Sequence, residues 1–92
     1  MSQHYISIKQ NDVLVGWDRP LQYFFGTVRK KGEIVFSTLE LHEGGVATVA
    51  ELAQVLSPYI ELPEEIKDAL REDQAVNRGN LVRHWKLDSE SR

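Results

Sequence analysis

The chain contains no cysteine. Disulfides, thiolate metal sites and cysteine nucleophiles are therefore excluded from its architecture and its chemistry. No apolar run approaches the ~20 residues that a helix needs to cross a bilayer. The first nine residues, MSQHYISIK, lack the apolar stretch of a signal peptide, so a cytoplasmic location is expected. Basic charge is also not in excess: the formal net charge is −3, which argues against a globally basic nucleic-acid binder. Neither a nucleophile elbow, a phosphate-binding glycine loop nor a dinucleotide fingerprint occurs. His42-Glu43 begins like a zinc-protease motif, but position 46, where the second histidine would fall, is valine. The three histidines stand far apart in sequence, and no metal, cofactor or catalytic residue is expected. Gly44-Gly45 has no basic residue beside it and reads as a flexible lead into a helix, not as an anion site.

What is present is an ordinary globular composition, 41% hydrophobic and 27% charged over 92 residues. A chain this long makes one modest core without staples. A single domain over residues 1–87 is expected, with 88–92 as a disordered tail. Charge is unevenly spread. Residues 1–47 carry five basic and five acidic groups, residues 48–76 two and seven, and residues 77–92 four and two.

The first half reads as strands. His4–Lys9 is rich in β-branched residues, and Gln10-Asn11-Asp12 is turn chemistry. Val13–Trp17 follows, with Gly16 marking a bulge or a close backbone approach. Asp18-Arg19-Pro20 interrupts pairing, because proline cannot donate to a ladder. From Leu21 to Arg29 the period is two. Leu21, Tyr23, Phe25 and Thr27 share one face, and Gln22, Phe24, Gly26 and Val28 share the other. Lys30-Lys31-Gly32 is a hairpin turn leading to Glu33–Thr38.

The second half reads as helices. Thr48 and Glu51 form a capping box in which each side chain satisfies a backbone N–H. Val49, Leu52, Ala53, Val55, Leu56, Tyr59 and Ile60 then fall on one side of a helix that ends or bends near Ser57-Pro58. Pro63 suits the first position of a second helix, whose apolar stripe is Leu62, Ile66, Ala69 and Leu70. Asp73 falls inside that stripe, so the helix frays before it or Asp73 meets a basic partner. Asn77 and Gly79 offer a stop. Leu81–Leu87 reads equally as a last strand or a docked tail. The expected fold class is α+β, a small antiparallel β-meander of three to four strands packed on one face by two helices.

Three features carry candidate function. Trp17-Asp18-Arg19-Pro20 is either a recognition turn presenting Trp17 and Arg19, or a turn whose indole simply covers the sheet. Glu61, Glu65, Asp68 and Glu72, with Glu64 adjacent, form an acidic ridge on the second helix; it either binds a basic partner or faces solvent. Arg29, Lys30 and Lys31 in the turn, with Arg78, Arg83 and Lys86 near the C-terminus, are the candidate nucleic-acid contacts. The alternative for the C-terminal group is that it lies by the acidic helix while Trp85 packs into the core.

The stretch VGWDRPLQYFFGTV resembles one in a group of short, functionally uncharacterised bacterial proteins. In those, Gly-Trp-Asp followed by Pro-Leu and aromatic residues precedes a helical half. The resemblance implies a small free-standing protein and assigns no catalytic residue. The leading functional expectation is a non-enzymatic, cytoplasmic protein-interaction or regulatory module. A nucleic-acid-associated protein is the alternative. Two sheet edges and an aromatic-rich segment over residues 17–25 also lead us to expect a homodimer, through an edge or through the aromatic face.

Overall fold

A computed structural model describes residues 1–8, 10–41 and 45–85. Lys86 and the expected tail at 88–92 lie outside the described residues, as do His42, Glu43 and Gly44. The fold is α+β: β1 (Ser2–Ile8), β2 (Asn11–Asp18), β3 (Tyr23–Lys30) and β4 (Glu33–Ser37) precede α1 (Val49–Leu56), α2 (Glu64–Ala75) and β5 (Leu81–Trp85). The sheet order is β4-β3-β2-β1-β5. The first four strands form the antiparallel meander, and β5 adds parallel to β1, pairing Ser2 with Leu81 and Ile6 with Trp85. Five strands thus replace the expected three to four. The helical pair is the crossover that a parallel strand requires.

Local chemistry explains the connections. Lys31 (φ 54°) and Gly32 (φ 83°) both take the left-handed conformation that a two-residue type I′ hairpin demands. Asp18 shapes the β2–β3 turn: its carboxylate accepts from Leu21 N–H at 3.2 Å and its carbonyl from Gln22 N–H at 2.7 Å. This turn delays β3 to Tyr23 and leaves Leu21 exposed. Thr48 caps α1 by accepting from Glu51 N–H at 3.1 Å. The Glu51 carboxylate accepts from the Thr48 hydroxyl at 3.4 Å, so only half of the expected reciprocal box forms. Pro63 occupies the N-cap of α2, one position earlier than expected, with Glu64 and Glu65 in the first turn. At the other end Asn77 (φ 48°) is the left-handed residue, with Asn77 N–H bonded to Gln74 O and Arg78 N–H to Asp73 O. That is a Schellman motif.

Both helices lie on one face. Register puts His4, Val15 and Gly26 in one row of that face and Ile6, Val13 and Val28 in the next, with Trp17 beside Phe24. Leu52 and Leu56 of α1 rest over Gly26, and Ile66 and Leu70 of α2 complete the core. Phe24 is fully buried, whereas Phe25 and Phe36 are half-buried. Phe36 stacks on Tyr59, with ring centroids 5.4 Å apart. Gly16 marks a close approach, not a bulge: an added Cβ would collide with the Ser2 carbonyl oxygen and the Phe25 ring. The bulge lies between β3 and β4, where Val28 pairs with Phe36 but Arg29 with Ile34.

Candidate interaction surface

A buried polar chain ties the helices to the sheet. His4 Nε2 meets Asp73 Oδ2 at 2.7 Å, with both side chains sealed from solvent. The Trp85 indole N–H donates to His4 Nδ1 at 2.9 Å. Because an indole nitrogen only donates, Nδ1 is the acceptor and the ring proton sits on Nε2, directed at the carboxylate. Arg78 Nε–H donates to Asp73 Oδ1 at 2.8 Å, and its guanidinium also lies 3.6 Å from Glu72. Asp73 therefore finds a basic partner without the helix fraying. Both ring nitrogens of His4 are engaged, so this histidine–carboxylate pair has no free position for a substrate. It couples β1, α2 and β5. The sequence clue was the charge of Asp73 inside an apolar stripe; nothing in the sequence singled out His4.

The candidate recognition turn is structural at its tryptophan. Trp17 is 1% exposed, packs its ring 5.0 Å from Phe24, and donates its indole N–H to Asn77 Oδ1 at 3.1 Å. Gln22 donates to the same oxygen at 2.8 Å, so Asn77 pins the turn to the end of α2. The Trp17 indole belongs to the core and not to the surface of the turn. Arg19 remains exposed, with its guanidinium beside Gly79.

The acidic ridge is exposed and partly neutralised from within α2. Glu64 pairs with Lys67 at 3.3 Å and Asp68 with Arg71 at 2.9 Å, while Glu72 faces Arg78. Glu61 and Glu65 are exposed as well. The basic candidates are not brought together. Arg29, Lys30 and Lys31 sit at the β3–β4 hairpin. Arg78 is engaged at the C-terminal end of α2, and Arg83 lies on the far edge strand, 4.0 Å over the Trp85 ring. Trp85 is half-buried against the core, as expected.

The feature that sequence reading missed is the sheet face turned away from the helices. Alternation and register place on it Tyr5, Ser7, Asp12, Leu14, Phe25, Thr27, Arg29, Ile34 and His84. It forms a groove of about 640 Å³. Leu14 and Thr27 contribute to the lining of its middle strands. One wall is the Tyr5–His84 stack, with centroids 4.9 Å apart and planes 11° from parallel. The other is Ile34 and Leu39, which are 53% and 80% exposed. Ser7, Asp12 and Arg29 supply polar groups at one end. Packing of both helices on one face is expected from the sequence; which side chains meet across the open face follows from the strand register, which the period of two does not give.

Comparison with known protein families, with curated proteins and with solved structures finds no match to this chain. Among the described residues no helix is long and apolar enough to cross a membrane, and no cluster of three potential metal ligands occurs. The fold and surface define a two-layer α+β protein in which, among the described residues, one sheet face is buried and the other open.

Proposed function

We propose that this chain is a small non-enzymatic protein-interaction module whose contact surface is the open face of its sheet. The observation that carries this reading is the groove itself, with one aromatic wall, one apolar wall and polar groups at one end, on a face that no helix among the described residues covers. Contiguous exposed apolar surface rimmed by polar groups marks interaction sites. The sealed His4–Asp73 pair supports a binding role over a catalytic one. The nucleic-acid alternative draws little support from a basic hairpin separated from Arg83 by the width of the sheet. A cytoplasmic setting belongs to the same proposal.

The test is affinity capture from cells that produce the protein. The wild type is compared with an Ile34→Glu/Leu39→Glu variant and with a Glu65→Gln/Asp68→Asn variant. The first should lose the captured partner while unfolding normally, and the second should retain it. Retention by the groove variant together with loss by the ridge variant would move the contact surface to α2.

A further inference from the structure

We infer that the open face is a self-association surface, covered by a second copy of this chain in a face-to-face pair that sets Asp12 of each copy against Arg29 of the other. This rests on the open face being the contact surface proposed above, and it names the occupant. Register aligns two rows across the middle of that face: Ser7, Asp12, Arg29 and Ile34 in one, and Tyr5, Leu14, Thr27 and Ser37 in the next. Asp12 and Arg29 are directly opposite on β2 and β3, both exposed and both lining the groove. Among the described residues Asp12 Oδ1 accepts only the Ser7 hydroxyl, at 2.9 Å, and Arg29 has no hydrogen-bond or ion-pair partner. The face thus presents one unspent charge of each sign, side by side.

Only one kind of twofold axis satisfies both. An axis parallel to the strands, lying between β2 and β3 in the plane of contact, exchanges β2 of one copy for β3 of the other at the same height. Asp12 then meets the second Arg29, and Arg29 the second Asp12. Leu14 meets the methyl-bearing Thr27, and Ile34 lies over Ser7. An in-plane axis perpendicular to the strands would instead lay each strand over its own copy, and at no height would it set Asp12 of β2 against Arg29 of β3. Sheets packed in this aligned way cross at about −30°, so the central rows are the ones that stay in register.

Long-range charge permits the approach. The strand half, residues 1–47, is electrically balanced, and the acidic excess lies over 48–76, in the helical layer on the opposite side of the sheet. The sheet edges compete less well, because β4 is only five residues long and bulged. Two rows by four strands is a small footprint, at the low end of specific interfaces, so association in the micromolar range is expected.

Sedimentation equilibrium tests this on the intact chain with Asp12→Arg and Arg29→Asp variants, alone and mixed, from roughly 10 µM to about 1 mM. The wild type should form a reversible dimer of 10.6 kDa chains. Each variant alone should associate at least about tenfold more weakly, since like charges then face one another. The equimolar mixture should recover wild-type association, because each arginine again meets an aspartate. Far-UV circular dichroism checks folding. Should Asp12→Arg misfold, Asp12→Asn should still associate more weakly than wild type at low salt, and its association should depend less on salt. A wild type that stays monomeric, or variants that dimerise as well as wild type, would overturn the proposal. A monomer that still loses its captured partner through Ile34→Glu/Leu39→Glu rejects the second copy and leaves the contact surface standing.

Discussion

His4 and Asp73 stand 69 residues apart in sequence and meet at 2.7 Å inside the core. Their bond joins the row of His4, Val15 and Gly26 to the last buried turn of α2, while Trp85 and Arg78 satisfy the atoms that remain. Removing one member of such a group leaves the others buried without partners, typically at a cost of about 3–5 kcal/mol. Asp73→Leu should therefore lower stability to urea by about that amount, even though leucine suits an apolar stripe. Asp73→Asn, which still accepts a hydrogen bond, should cost less. A loss below about 1 kcal/mol for Asp73→Leu would mean that the chain is not coupled as described.

Leu52 is fully buried against the sheet, with its Cδ1 over Gly26. Truncation there opens a cavity that neither β3 nor α2 can close without moving. Leu52→Ala should cost about 2–5 kcal/mol, a large share of what a small domain has. Urea unfolding is the measurement, and a loss under about half a kcal/mol would show that α1 is not packed on β3.

The meander and both helices are legible in the sequence because each obeys one strong local rule. The alternation of Phe24, Gly26 and Val28 sets the covered face, Lys31-Gly32 sets the hairpin, and the spacing of Val49, Leu52 and Leu56 sets α1. The strand at Leu81–Trp85 stays ambiguous with a docked tail because Arg83 shares the covered-side register with Leu81 and Trp85, where it lies over the indole, which disguises the period. The open groove is hidden for another reason. Helices on one face are expected from the sequence, but the groove also depends on the strand register and on β5 joining beside β1, and these are tertiary facts. Trp17 shows the same limit: a tryptophan beside a charged turn reads as a tip or as cover for the sheet until Asn77, 60 residues on, supplies its hydrogen-bond partner.

The acidic ridge yields a prediction in which little should change. Glu65 is exposed, and among the described residues Asp68 pairs only with Arg71, also exposed, at 2.9 Å. Exposed pairs within one helix contribute a few tenths of a kcal/mol, and like charges four apart cost a similar amount. The double change Glu65→Gln/Asp68→Asn should thus alter stability by less than about 0.5 kcal/mol in either direction. A larger loss in thermal unfolding would mean that the ridge has a structural partner beyond Arg71.

Two glycines on opposite faces of the sheet should respond differently to the same added methyl group. At Gly16 the Cβ would collide with the Ser2 carbonyl oxygen, and it would stand 2.6 Å from the Phe25 ring. A backbone oxygen of the neighbouring strand cannot swing aside, so β1 itself must shift. The covered-face residues His4 and Ile6 would then move with it. At Gly26 the nearest atom is Leu52 Cδ1 at 3.2 Å, the mobile end of a side chain, followed by Val15 Cγ1 at 3.4 Å. Overpacking of this kind costs about 1–3 kcal/mol and more where backbone must give way. Gly26→Ala should fall at the low end of that range and Gly16→Ala at or above its top. Paired urea titrations read the difference, and Trp17 and Trp85 fluorescence reports whether β1 has moved against its neighbours. Equal losses at the two sites would mean that the start of β1 can retreat from β2 without disturbing the polar chain behind it.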